Sequence, residues 1–386
     1  MELSSGDRVL VTGAGGFIGS AVTRALIARG VQVVALLEPG ADHANLAELD
    51  LERLEVDLRD GEGVDRAVKE CRAVFHVAAL YRFWARDRRQ FYDVNVGGTR
   101  NIMDAAKRAG TERLVYTSTV GTLGLESGKH SRPSDERSFA DVSHLFGSYK
   151  QSKYVAEHEV LRAAAEGLPV SIILPTFPLG PGDRAPTPTG QLILDYLNGR
   201  VPGYVDTILN VAHVDDLALG QILALERGAV GRSYILGGEN YTLKRLLDTL
   251  ATVTGLPTAK LPVPRALALG VAHLSEFLEG SLLHRHPSVP IEAARMSTTR
   301  MSFDDSRART ELGHAPRPAL EALAASAHWF VDQGKVTPAR RAKITWPDYP
   351  GPVPGRPVPG RPVPGRPVPG RPVPGRPVPG RPVPGR

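Results

Sequence analysis

The sequence predicts an α/β protein built on a doubly wound parallel sheet, with a smaller C-terminal lobe and a disordered repeat tail. Three observations predict it. The first 180 residues alternate apolar strand runs with helical patterns, as a sheet covered by helices on both faces requires. A glycine-rich turn joins the first strand run directly to a helix. Beyond Pro175 the rhythm breaks into loops rich in proline and glycine.

In chain order, strands are expected at Arg8 to Thr12, Val31 to Leu37, Leu54 to Asp57, Ala73 to Val77, Arg113 to Thr117 and Val170 to Leu174. Helices are expected at Ser20 to Arg29, at Val94 to Ala109 and from Tyr149 onward. Later come a helix at Gly190 to Leu197, a strand at Ser233 to Leu236 and a helix capped by Thr242 that runs to Val253. Helices at Asp304 to Leu312 and Pro318 to Asp332 finish the globule. The expected division is a first domain over residues 6–180, rejoined by some later segments, a second lobe over 181–335 and a tail over 352–386.

The 386 residues, 42% hydrophobic, suffice for one or two domains with a full core. From Pro352 the chain consists of seven copies of Pro-Val-Pro-Gly-Arg, with one valine per copy to bury, so disorder is expected there. Removing the seven tail arginines from the 47 Lys and Arg leaves 40 against 41 Asp and Glu, so the formal charge of +6 belongs to the tail. Nucleic acid is therefore not an expected partner of the body. The N-terminal residues lack the basic start and apolar run of a secretion signal, and the lone Cys71, in an amphipathic helix pattern, suits a reducing cytoplasm. The apolar stretch from Ala266 to Leu283 is interrupted by His273, Glu276 and Glu279. It is too polar to span a bilayer; a core helix is the default and peripheral membrane contact the alternative.

The first strand ends in Thr12-Gly13-Ala14-Gly15-Gly16-Phe17-Ile18-Gly19. Glycines at 13, 16 and 19 permit a tight turn, close approach of a pyrophosphate and close packing of the helix. The helix N-terminus then offers free N–H groups and a positive dipole end. This is the dinucleotide cradle of the Rossmann fold. Glu38, nineteen residues after Gly19 at the end of the second strand, is placed to accept from the adenosine ribose and to repel a 2′-phosphate. NAD is therefore the expected cofactor and NADP the alternative. Asp57 and Leu58 are expected at the adenine edge, with Ala78 and Ala79 as small residues where the cofactor passes. His76, inside an apolar strand, reads as structural.

Tyr149 and Lys153 lie four residues apart on a helix, hence on one face and about 6 Å apart. An ammonium beside a phenol favours the phenolate, which suits Tyr149 to exchange a proton with an alcohol or ketone, while Lys153 also reaches a cofactor ribose. The fifth strand ends in Thr117-Ser118-Thr119; Thr119 is the expected donor to the reacting oxygen and Ser118 the fallback. Asn95 is a candidate for holding that strand's backbone or relaying protons. The remaining cofactor contacts are assigned to Thr117, Pro175 and Thr176. Tyr81, Trp84, Arg86, Phe177 and Thr187 are the expected substrate-pocket residues, with packing between lobes as the alternative for Trp84. No metal site is expected, because His284 and His286 have no further ligand at suitable spacing.

With these residues assembled, the chain resembles the extended short-chain dehydrogenase/reductases, which include nucleotide-sugar epimerases and dihydroflavonol reductases, over about residues 6–333. Tyr81-Arg82-Phe83-Trp84-Ala85-Arg86-Asp87, Asn95-Val96-Gly97-Gly98-Thr99-Arg100-Asn101, Pro186-Thr187-Pro188-Thr189-Gly190 and Tyr234-Ile235-Leu236-Gly237-Gly238-Glu239-Asn240 are similar to the hopanoid-associated sugar epimerase branch. The resemblance implies an NAD(P)-dependent enzyme with a small-molecule substrate, a sugar or a lipid-linked alcohol or ketone, and a family in which homodimers are common. Departures narrow it. Glu38 stands where related reductases usually carry arginine. Leu174 replaces the branch's usual asparagine before Pro175. Leu209-Asn210-Val211-Ala212 lacks the basic residue that commonly holds a diphosphate before the segment matching His213, which disfavours a nucleotide sugar. Val120-Gly121 replaces the Asp-Glu pair of a dehydratase. Epimerase and reductase readings share every other residue, and a cofactor sensor without turnover is the reading from another class.

Overall fold

The computed structural model describes residues 1–82, 84–85, 87–125, 132–141, 145–277, 279, 291–297 and 299–347. The expected tail, Arg86, His284 and His286 lie outside them. Strands β1 (Arg8–Thr12), β2 (Gln32–Leu37), β3 (Glu52–Glu55), β4 (Ala73–His76), β5 (Arg113–Thr117) and β6 (Val170–Pro175) alternate with helices α1 (Phe17–Ile27), α2 (Gly61–Val68), α3 (Arg89–Tyr92), α4 (Gly98–Ala109) and α5 (Ser148–Ala165). Then follow β7 (Phe177–Leu179), α6 (Pro188–Leu197), β8 (Gly203–Tyr204), β9 (Ile208–His213), α7 (Val214–Arg227), β10 (Ser233–Leu236), β11 (Glu239–Thr242) and α8 (Leu243–Thr254). The last elements are β12 (Leu261–Pro262), α9 (Arg265–Ser275), α10 (Ile291–Ser297), α11 (Ala319–Asp332) and α12 (Pro338–Arg341).

Seven strands form one parallel sheet in the order β10-β6-β5-β4-β1-β2-β3. Its inner strands are largely apolar because helices cover both faces, whereas the edge strand β3, Glu52-Arg53-Leu54-Glu55, is mostly exposed. Val9, Val11, Ala35 and Phe75 point into a core with α1 and α7, whereas Leu10, Val34, Val74 and Leu114 point into a core with α2, α4 and α5. The alternation along β1 is the period of two that a strand imposes. The order of connection reverses between β1 and β4, and at that switch the carboxyl ends of the two strands open a crevice. A smaller sheet, β11-β9-β7, packs with α6, α8 and α11 around a third core that includes Leu209, Leu246, Leu250 and Phe330.

Four local expectations need correction. Helix α1 begins at Phe17, three residues early, because Gly16 already serves as its N-cap. The helix expected over residues 94–109 is interrupted: residues Asp93–Gly97 form a π turn before α4, a widened stretch that recurs at functional sites. Cys71 lies past the end of α2 as a buried thiol, pushed up to about 11 by burial, so it behaves as a small apolar side chain. The 266–283 stretch is expected as a core helix; its described part, residues 266–277 and 279, is not one. Of α9 only Ala272 is buried, Leu267 and Leu274 are each 58% exposed, and α9 contributes to none of the three cores. Apolar composition without a second covering layer does not bury a helix. Among the described residues no helix is long and apolar enough to cross a membrane.

Candidate active site

The crevice is built first by β1 and β4. Thr12 Oγ1 accepts from the amides of Val77 and Ala78, both at 3.1 Å, and fixes the chain after β4 against the end of β1. Gly13 has φ +64°, and a Cβ there would lie 2.8 Å from Ala78 Cα, so only glycine permits this approach. A Cβ on Gly19 would lie 2.0 Å from the Gly13 carbonyl oxygen, which lets the first turn of α1 close onto the loop. Gly16 is exposed and caps α1 without a side-chain bond, so no side chain competes for the first-turn amides. Phe17 and Ile18 turn inward onto the α1 core. These residues fit the pyrophosphate of a dinucleotide. Ala78 and Ala79 are half-buried beside them.

Along the expected adenosine side, Glu38 is exposed at the end of β2. The Asp57 carboxylate is held by Arg59 through Nε at 3.0 Å and Nη2 at 2.5 Å, and this bonding keeps its pKa below the ordinary value. Arg59 also feels the charge of Glu38, which makes it a cation on this edge that the motif reading missed. Leu58 is buried under Gly98, and its carbonyl accepts from Asn101, so its side chain belongs to the core.

His76 is structural: its ring nitrogens meet Thr12 Oγ1 at 2.8 Å and Thr99 Oγ1 at 3.0 Å, and burial holds it neutral with a pKa of about 3. Asn95, in the π turn, accepts from the Leu80 amide at 2.7 Å and donates to the Leu80 carbonyl at 3.2 Å and to Ser152 Oγ at 2.9 Å. It therefore holds the backbone after β4, not that of β5, and its side-chain amide is fully engaged within the protein.

Helix α5 carries Tyr149, Lys153 and Glu157 at successive four-residue steps, hence on one face. Tyr149 is buried, and burial raises its pKa above the ordinary phenol value; the Thr119 hydroxyl, its hydrogen-bond partner, pulls the other way. The ring of Tyr81 lies against it, centroids 4.7 Å apart at 42°. Lys153 is fully buried: Nζ donates to the Thr117 carbonyl at 2.7 Å and sits 4.3 Å above the Tyr116 ring. Burial lowers its pKa to about 7, against the opposing charge of Glu157. The expectation that Lys153 makes Tyr149 acidic is not met. The spacing puts both side chains on one face, but β5 takes the ammonium, and the desolvation of the phenol prevails.

Two expected substrate hydroxyls are turned elsewhere. Ser118 Oγ donates to Glu157 at 2.5 Å, and Thr122 donates to the same oxygen at 3.0 Å, so Ser118 faces α5 instead of a substrate. Thr187 is the N-cap of α6, accepting from the Gly190 amide at 3.3 Å and donating to Asp183 at 2.8 Å. Thr117 Oγ1 donates to Gln221 at 3.0 Å, which leaves only its backbone facing Lys153. Pro175 is buried at the end of β6, Thr176 donates to the Leu236 carbonyl at 3.5 Å, and Phe177 starts β7 and packs toward the third core. Trp84 lines a cavity of about 220 Å³ that reaches Gly147 and Ser148, next to Tyr149. Glu292 lines it too, and no motif pointed there. Glu157, by contrast, was accessible as the next four-residue step beyond Lys153.

Three comparisons bear on this arrangement. The chain is 42% identical to a putative dihydroflavonol 4-reductase of Synechocystis over 338 residues, 86% of this chain and 97% of that protein. It is 34% identical to sterol demethylase protein B of Methylococcus capsulatus, covering 85% and 99%. The crystal structure of gox2253 superposes with a TM-score of 0.76 at 43% identity, over 86% of this chain and 100% of that one. A profile of the NAD dependent epimerase/dehydratase family matches residues 9–237. That match runs from β1 through the last strand of the large sheet, and with relatives of such length and identity the chain belongs to the NAD dependent epimerase/dehydratase family.

Proposed function

We propose that the protein catalyses hydride transfer at a secondary alcohol or ketone of an uncharged substrate, in the reducing direction, with Tyr149 as the proton donor and Thr119 orienting the reacting oxygen. The observation that carries this reading is the buried Tyr149 phenol, bonded to Thr119, with a cavity that reaches the neighbouring Gly147 and Ser148. A phenol with a raised pKa stays protonated at neutral pH, and ketone reduction needs that proton. A nicotinamide cofactor held there would supply the hydride for the carbonyl carbon.

The chain's own residues do the rest. The Gly13, Gly16 and Gly19 turn with the first amides of α1 holds the pyrophosphate, and Glu38 receives the adenosine ribose, which favours NAD over NADP. Tyr149 passes its proton to the substrate oxygen, held by Thr119. Lys153, anchored to the Thr117 carbonyl and ionising near neutrality, would hold the nicotinamide ribose. A lipid-linked substrate is in keeping with a relative named for sterol demethylation. A single buried thiol fits a cytoplasmic setting.

The second reading is epimerisation in the manner of the hopanoid-associated sugar epimerases, favoured by the Asn95 to Asn101 and Tyr234 to Asn240 segments. The two differ in what becomes of the cofactor. The test is to supply NADH and an aryl ketone and count: one NADH oxidised per alcohol formed supports reduction. NAD retained through gel filtration, with interconversion of epimeric alcohols and no net change in NADH, would replace reduction by epimerisation.

A further inference from the structure

The N-terminus of α5 meets a carboxyl group that hydride transfer does not use. Gly147, immediately before the helix, has φ +90°, and a Cβ built there would fall 2.0 Å from Cδ of Glu292 and within 2.2 Å of both its oxygens. Glycine at 147 is what allows Glu292, in the first turn of α10, to lie against the first turn of α5. Glu292 Oε1 is buried and finds no hydrogen-bond partner among the described residues. Buried polar groups are nearly always paired, so an orphaned one beside a cavity points to a partner that arrives from outside.

The cavity supplies the place. Its volume of about 220 Å³ is bounded by the side chains of Trp84, Phe91, Phe146 and Ile291 and by four charged residues, Arg88, Arg295, Glu276 and Glu292. Sites that enclose a whole drug-sized ligand run to roughly 300–1,000 Å³, so this one takes an end of a substrate. The Glu292 charge is felt at Tyr149, Tyr81 and Lys150, which places the carboxyl near the proton donor. Burial raises the carboxyl pKa to about 8 against the pull of Lys150 and Arg88, with Glu276 adding to the rise. Near neutrality it therefore carries a proton and offers one donor and one acceptor.

We propose that Glu292 is a specificity-determining residue: its carboxyl hydrogen-bonds a second oxygen of the substrate and selects a ketone or alcohol that bears an adjacent hydroxyl on an otherwise apolar body. The proposal rests on the reading of Tyr149 as the proton donor at this end of the site. The probe pair is 2-hydroxyacetophenone and acetophenone, which differ by that hydroxyl alone, titrated into the full chain with saturating NAD by calorimetry. The wild type binds the hydroxyketone about tenfold more tightly, the size of one hydrogen bond. Glu292→Ala binds the two alike, and Glu292→Gln, which keeps a donor and an acceptor, retains most of the preference. Removal of an unpaired buried carboxyl leaves the Tm unchanged or higher, so unfolding does not mimic the result. Absence of a preference in the wild type, or a preference undiminished in Glu292→Ala, overturns the assignment. Tyr149→Phe, titrated beside them, keeps the preference and loses ketone reduction. If it instead reduces the hydroxyketone normally while the preference still follows residue 292, the assignment of Tyr149 as the proton donor fails and the binding role of Glu292 stands.

Discussion

The side-chain amide of Asn95 donates to the Ser152 hydroxyl at 2.9 Å and so ties the segment after β4 to α5, one residue before Lys153. The same side chain pairs both backbone groups of Leu80, the residue before Tyr81. Asn95→Leu leaves the amide and carbonyl of Leu80 without this partner, while the Ser152 hydroxyl keeps its bond to the Tyr149 carbonyl. Unfolding in urea should show a loss of about 1–3 kcal/mol. The KM for a ketone should rise as Tyr81 loses its placement against Tyr149, and an unchanged KM with lowered stability would confine Asn95 to the scaffold.

The cradle is tested at two glycines. Gly19→Ala drives a Cβ into the Gly13 carbonyl oxygen, and Gly13→Ala adds a strained φ of +64° to a clash with Ala78. Both variants should bind NADH at least about tenfold more weakly by fluorescence titration, with Gly13→Ala also lowering the Tm.

Burial lowers the pKa of Lys153 in the folded protein to about 7, from an ordinary 10.5. Between those values the unfolded chain binds more protons than the folded one, so stability rises with pH through that window and levels off below it. The Tm of the wild type, measured relative to Lys153→Met, should therefore increase from pH 7 to pH 9 in parallel scans. A flat difference would show that Lys153 is charged throughout.

Cofactor choice should follow Glu38. Glu38→Arg removes a carboxylate that repels a 2′-phosphate and adds a partner for it beside Arg59. The KM for NADPH should fall by ~10-fold or more while that for NADH rises. Equal use of both cofactors by the wild type would contradict the role given to Glu38.

Thr187 separates capping from substrate binding. Thr187→Ala should cost about 1 kcal/mol of stability as α6 loses its cap. A KM that moves with it would return Thr187 to the substrate pocket.

The legible part of this protein was whatever depends on local spacing. Continuous apolar runs located β1, β4, β5 and β6 to within a residue, because strands buried on both faces admit little else. The turn from Gly13 to Gly19 and the four-residue step from Tyr149 to Lys153 were equally readable, since both are written within a single element. What lay beyond reach were partners from distant chain segments. Ser118 and Thr187 present hydroxyls at element ends, as a substrate contact would, but Glu157 and Asp183 take them. Spacing cannot say that the Thr117 carbonyl and the Tyr116 ring receive Lys153, nor that α10 brings Glu292 against Gly147. Apolar content alone misplaced α9, because burial needs a covering layer that composition does not specify.

The central claim is that Tyr149 delivers the proton. Its most direct test is Tyr149→Phe, which removes one oxygen and leaves the ring against Tyr81, assayed for ketone-dependent NADH oxidation and, separately, for NADH binding. Turnover lower by about 10²–10⁴-fold with NADH affinity within twofold of wild type is the result expected of a lost general acid. Turnover within a few-fold of wild type would mean that the proton comes from another group.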